Sequence, residues 1–235
     1  MLKQKRPLIA VLMDENTSSG GTRYEAHKGY FHGLVAEGGT PFGVPYAPEL
    51  VTDIVANFDG LLAVGGRFAY PSEWYLDGMT SQSPPSLRLA VERAAMAAFL
   101  AGRKPVLGIC AGMQMLACLH GSRLTPDIGA WSSSALSHDR RGTLHRVDIQ
   151  DGTLLRQIIG EPTIEVNTFH REAIAVVGEE ITVSATAEDG IIEAVELASH
   201  QFALGIQWHQ ELFAGERHPG NRIFAAFVEA CRIAT

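Results

Sequence analysis

Two kinds of apolar patterning alternate through the first half of the chain. Positions 6–13 (RPLIAVLM), 59–66 (DGLLAVGG) and 104–109 (KPVLGI) are unbroken apolar runs that stop at polar or glycine-rich positions. Such runs predict strands buried on both faces. Positions 40–46 (TPFGVPY) predict one more short strand. Between the runs, positions 23–39, 48–58, 87–102 and 111–121 show helical spacing. In the first of these, Tyr24, His27, Tyr30, Phe31, Leu34 and Val35 share a side, and Gly38–Gly39 closes it. This alternation predicts an α/β fold: a three-layer sandwich with a mostly parallel central sheet and helices on both faces.

The pattern changes after about residue 121. Positions 144–158, 163–170, 181–197 and 202–209 read mostly as strands, with a hairpin turn in TAEDGII at 186–192. They predict a small antiparallel β element in the C-terminal half, and positions 221–234 a final helix. No repeat, low-complexity tract or linker interrupts the chain, so residues 1–235 read as a single domain. Positions 67–86 form a long polar, aromatic and proline-rich loop, and loops of that length usually carry function.

Composition narrows the classes of function. Of 235 residues, 46% are hydrophobic and 19% charged, which suits a folded globular chain. The net charge of −7 and the lack of any dense Lys/Arg cluster argue against nucleic-acid or membrane partners. The apolar run near the N-terminus is cut off by Asp14 and Glu15, too early for a signal peptide. Three cysteines at unrelated spacings do not make a disulfide framework, which points to a reducing cytoplasm. Without CxxC, HExxH or paired Cys/His spacing, no metal site and no cofactor are expected.

Candidate chemistry sits at one strand-to-helix junction. Gly108-Ile-Cys110-Ala-Gly112 has the spacing of a nucleophile elbow, where glycines two before and two after let strand and helix pack closely. The first N–H groups of the new helix would lower the thiol pKa and could hold an oxyanion. The junction alone leaves two readings of Cys110, a nucleophile or a small buried cysteine. A thiol nucleophile needs a base, and the base an orienting group. His209 ends the apolar run ALGIQW, and Glu211 follows two residues later. His170, in VNTFHREA, is a second candidate. His27, His32, His138, His145 and His200 read as surface or filler residues. Cys118 and Cys231 sit on apolar helix faces and read as core.

PVLGICAGMQML, VNTFHREAI and ALGIQWHQEL, in this order, resemble the class I glutamine amidotransferase superfamily. They are most similar to its γ-glutamyl-γ-aminobutyrate hydrolase branch, and DGLLAVGG and HGSRLTPDI resemble further segments of that branch. The likeness spans about residues 7 to 230. It implies a flavodoxin-like fold and a cysteine hydrolase of small γ-glutamyl amides. Cys110 would attack the γ-carbonyl, His209 would shuttle the proton, and Glu211 would hold the imidazole. Backbone N–H groups of Ala111 and Gly66 would meet the oxyanion. Gln114 would grip the glutamyl moiety, and Phe169 and His170 would line the leaving-group side.

Three departures stand out. Ala111 stands where the branch carries arginine. Gln210 replaces a proline, which predicts a less rigid turn between His209 and Glu211. GGRFAYPSEWY lacks the acidic residues of the related segment and keeps only Pro71 and Tyr75 of its pattern. Arg67, Phe68 and Tyr70 there suit an anionic or aromatic leaving group, and Arg67 and Tyr75 are expected to touch substrate. The resemblance leaves two enzyme readings open. One is a stand-alone hydrolase, with a homodimer as an option. The other is a glutaminase subunit feeding ammonia to a separate synthetase partner. A non-catalytic binder on the same fold is the third, least favoured reading.

Overall fold

The computed structural model describes residues 5–15, 20–133 and 136–234. Its strands are β1 (Leu8–Leu12), β2 (Asp14–Glu15), β3 (Tyr24–Glu25), β4 (Thr40–Val44), β5 (Gly60–Ala63), β6 (Val106–Ile109) and β7 (Arg123–Thr125) in the first half. The second half holds β8 (Thr143–Ile149), β9 (Thr163–Thr168), β10 (Ala173–Val176), β11 (Ile181–Ala187), β12 (Ile192–Leu197) and β13 (Ala203–Ile206). The α-helices are α1 (Lys28–Ala36), α2 (Val51–Asn57), α3 (Arg88–Ala101), α4 (Ala111–Leu119), α5 (Ile128–Trp131), α6 (Leu154–Ile159) and α7 (Arg222–Ile233).

Among the described residues, nine strands form one sheet in the order β4-β1-β5-β6-β13-β12-β11-β8-β9. The pairs from β4 to β13 are parallel, and those from β13 to β9 antiparallel. The α/β class is therefore as the sequence implies. The antiparallel strands extend the same sheet, and β7 pairs with β10 in a separate small antiparallel sheet. Side chains on the parallel strands alternate between two cores. Ala10, Leu12, Leu61, Ala63 and Val106 pack with α3 and α4 on one face. Ile9, Val11, Leu62, Leu107 and Ile109 pack with α1, α6 and α7 on the other. Both faces are dry, so unbroken apolar runs are what these strands require. Burying each Val, Leu or Ile among them stabilises by about 1.5–3 kcal/mol.

Three local expectations are corrected. The first helix begins at Lys28 and not at Arg23, because His27 caps it by accepting from the Gly29 N–H at 3.1 Å. Tyr24–Glu25 before it pairs instead with Asp14–Glu15. The run at 144–158, read mostly as strand, becomes β8 and then α6, whose start is capped by Thr153 accepting from the Arg156 N–H. Strands β7 and β10 carry too few residues to give a periodic signal. The hairpin at 186–192 joins β11 to β12 as expected. Among the described residues, no helix is long and apolar enough to cross a membrane.

Candidate active site

Strands β5, β6 and β13 are neighbours in the sheet, with Ala63 and Gly205 both in register with Gly108. Their carboxyl ends therefore deliver Gly65–Gly66, Cys110 and His209 to one spot, the edge where ligands gather in such sheets. Cys110 links β6 to α4 with φ 54° and ψ −105°. Positive φ on a residue with a side chain is strained and marks a held conformation. The glycines around it are needed for approach: a Cβ on Gly108 would lie 2.4 Å from the Gly112 carbonyl carbon, and one on Gly112 2.4 Å from the Ala63 oxygen.

His209 follows β13, and its Nδ1 lies 2.7 Å from Glu211 Oε1. Glu211 sits in a 3-10 turn, Gln210–Phe213, and is 3% exposed. A carboxylate only accepts, so Nδ1 carries the hydrogen and Nε2 is left for another partner. Cys110 is the other side chain that bonds to the ring. Cys110 and His209 both border Gly65: a Cβ there would meet His209 Cε1 at 2.8 Å and Cys110 Cβ at 3.4 Å. Burial disfavours charge on both groups. The imidazolium of His209 nevertheless draws the Cys110 thiol below its ordinary range, and the thiolate holds His209 well above its own.

Of the glycine pair, Gly65 has its N–H accepted by the Tyr30 hydroxyl at 3.1 Å. Among the described residues neither the Gly66 N–H nor the Ala111 N–H has an acceptor, and Gly66 lines the same cleft as Cys110. These are the two donors the sequence singled out. Arg67, Gln114, Phe169 and His170 also line that cleft. Gln114 Nε2 donates to the Glu172 carbonyl and to Gln207 Oε1, both at 3.1 Å, which fixes its amide. Arg67 pairs with Asp139 and lies 4.5 Å above the Phe169 ring, while Arg141 covers that ring at 4.8 Å. Arg171 completes a basic rim.

Tyr75 is the exception. It is 1% exposed, does not line the cleft, and donates to Glu172 Oε2 at 2.9 Å, so its expected contact with substrate is corrected to a prop for Glu172. Phe68 and Tyr70 line the cleft but are buried. Phe68 packs beneath the Arg88 guanidinium, and the Tyr70 hydroxyl donates to the Ala111 carbonyl at 2.8 Å. Gln210 does not loosen the turn. It is fully buried, accepts from Trp208 Nε1 at 2.9 Å and donates to Asn221 Oδ1 at 2.9 Å.

Several contributors had no distinct signal in the sequence. Asn167 donates to the His209 carbonyl and accepts from its N–H, both at 2.8 Å. Arg88, fully buried, donates to the carbonyls of Val64 and Gly65 and pairs with Asp14 and Glu92, bracing the glycine pair from behind. His138 and His145, read as surface or filler residues, are buried beside His170 and Glu193. Cys118 and Cys231 are core residues, as their helix faces implied.

Known proteins resemble this chain in sequence and in fold. The profile of the family described as Peptidase C26 matches residues 7–211. The γ-glutamyl-γ-aminobutyrate hydrolase PuuD of Escherichia coli (strain K12) is 28% identical over 96% of this chain and 94% of its own. The protein Rv2859c of Mycobacterium tuberculosis is 33% identical over 86% of this chain and 66% of its own. Among solved structures, the glutaminase domain of Trypanosoma brucei CTPS with bound acivicin superposes with a TM-score of 0.62 at 16% identity, covering 96% of this chain and 93% of that one. The chain thus belongs to the Peptidase C26 family, within the class I glutamine amidotransferase-like fold.

Proposed function

We propose that this member of a hydrolase family cleaves γ-glutamyl amides, releasing glutamate and an amine through a thioester on Cys110. The observation that carries the reading is the Cys110 elbow set beside the His209–Glu211 pair. His209 Nε2 takes the Sγ proton, and the sulfur attacks the γ-carbonyl carbon. Negative charge gathers on the carbonyl oxygen, where the Gly66 and Ala111 N–H groups meet it. As the C–N bond breaks, His209 returns the proton to the leaving amine. A water then gives its proton to His209 and attacks the thioester, releasing glutamate and the free thiol. Glu211 keeps Nδ1 protonated and stabilises the imidazolium throughout.

The rim of Arg67, Arg141 and Arg171 around Phe169 favours a leaving amine that carries a carboxylate. The Escherichia coli relative is named for such a substrate. The test is a panel of γ-glutamyl amides plus glutamine, given to the purified chain alone and read by mass spectrometry, with Cys110→Ala as control. Turnover of amides with acidic leaving groups, lost in the control, is the expected result. Unchanged turnover by Cys110→Ala would refute the nucleophile. Turnover of glutamine alone would favour a glutaminase that serves a synthetase.

A further inference from the structure

Behind the cleft wall that carries His170, four buried side chains face one another. His138 comes from the loop before β8, His145 from β8, His170 from just after β9 and Glu193 from β12. None is more than 4% exposed. His170 Nε2, His138 Nδ1 and His145 Nε2 lie 3.3, 3.5 and 3.7 Å from Glu193 Oε1. Among the described residues His145 Nε2 has no hydrogen-bond partner, and His170 Nε2 has only its long contact to Glu193. The three ring nitrogens lie within ion-pair reach of Glu193, and His138 Nδ1 also meets the Thr168 hydroxyl at 3.3 Å.

Their outer contacts fix the tautomers. His170 Nδ1 meets the Glu172 carbonyl at 3.0 Å, and His145 Nδ1 meets the Arg146 carbonyl at 3.3 Å. Carbonyls only accept, so both hydrogens sit on Nδ1. His138 Nε2 meets Asp189 Oδ2 at 2.9 Å and carries its hydrogen there. In neutral rings the inner lone pairs of His138 and His170 then face one carboxylate in a dry interior, with the Thr168 hydroxyl also beside His138 Nδ1. Buried acceptors facing a buried charge cost several kcal/mol unless a cation intervenes. A single proton on His170 would answer its own contact and leave the His138 nitrogen facing Glu193, whereas a divalent ion answers both.

We propose that His138, His170 and Glu193 bind a divalent transition metal ion of the zinc type. Their ligand atoms lie within 4.8 Å of one another. In a tetrahedral shell with bonds of about 2.0–2.1 Å, neighbouring ligand atoms sit about 3.3 Å apart, close to the separations from Glu193. Imidazoles with one carboxylate select zinc or its neighbours over magnesium or calcium. Outer nitrogens held by carbonyls and a carboxylate are how metal-bound imidazoles are oriented. The ion would be structural: it joins β12 and the loop before β8 to the segment bearing Phe169 and His170, and so stiffens the cleft wall. Hydrolysis at Cys110 does not depend on it for any bond made or broken.

The test uses Cys110→Ala protein stripped with a chelator, so that the reactive thiol cannot supply the ligand. Zinc is titrated by calorimetry and cobalt by visible absorption. One equivalent is expected, with the intense bands of four-coordinate cobalt and a raised Tm. Glu193→Gln in the same background is expected to bind about tenfold or more weakly. X-ray absorption at the zinc edge of the loaded chain carrying only Cys110→Ala should show nitrogen and oxygen neighbours with imidazole scattering, and this arm stands even if Glu193→Gln fails to fold. No binding, no change in Tm, undiminished binding by Glu193→Gln, or a shell containing sulfur would overturn the proposal. In the first two cases a protonated His170 paired with Glu193 would be the occupant.

Discussion

Asn167 grips the backbone of His209 from both sides, giving a hydrogen bond to its carbonyl and taking one from its N–H, each at 2.8 Å. The histidine's position is thus set by β9, a strand distant in sequence. Replacing Asn167 by Ala removes both bonds. About 2 kcal/mol of stability should go, since each bond is worth about 1 kcal/mol. A slight misplacement of the base should lower kcat/KM by about a hundredfold. Thermal unfolding and steady-state kinetics on a γ-glutamyl amide measure the two effects. Full activity in the variant would show that His209 is held by other contacts.

The thiols should separate cleanly under alkylation. Only the thiolate reacts with iodoacetamide. His209 overcomes burial and draws Cys110 below the ordinary thiol range, whereas burial pushes Cys118 and Cys231 up. Cys110 should therefore label first near neutral pH, with a rate that falls as pH drops through its lowered pKa. In His209→Ala burial and Glu211 push the thiol up with only the weaker pull of His170 against them, so the inflection should move upward. An inflection that stays in place would rule out the ion pair.

The same pair gives activity a pH window. Acid protonates the Cys110 thiolate and closes the window from below. Base removes the imidazolium proton that the leaving amine needs, and His209's raised pKa puts that limb well above the ordinary histidine range. A profile of kcat/KM that falls already at ordinary histidine pH values, on the alkaline side, would contradict the assignment.

Gln210→Ala tests the turn. Trp208 Nε1 and Asn221 Oδ1 would lose their buried partner. That should cost about 1–3 kcal/mol, or roughly 2–4 °C of Tm per kcal/mol in a chain of this size. An unchanged Tm would mean that water takes over both bonds.

Arg67 and Tyr70 should behave differently. Tyr70→Phe frees the Ala111 carbonyl at the start of α4, so all substrates should lose rate in proportion. Arg67→Ala removes a cation from the rim, and amides with acidic leaving groups should lose about tenfold more kcat/KM than neutral ones. Equal losses across the panel for Arg67→Ala would remove it from leaving-group recognition.

Much of this was written in local sequence. Continuous apolar runs could only be strands covered on both faces, and the Gly108–Cys110–Gly112 spacing announced an elbow, because those properties depend on neighbours within a few residues. Glu211 was legible for the same reason, lying two residues from the histidine it holds. What the sequence could not disclose were contacts made across the sheet. Arg88 and Glu92 look like the polar face of an amphipathic helix until the fold buries them against the glycine pair. Tyr75 looks like a binding residue until packing turns its hydroxyl to Glu172. His138, His145, His170 and Glu193 span more than fifty residues with no periodicity. Only the antiparallel extension β13-β12-β11-β8-β9 brings them together, since pairing between distant strands is set by the packing of the whole sheet and not by any local preference.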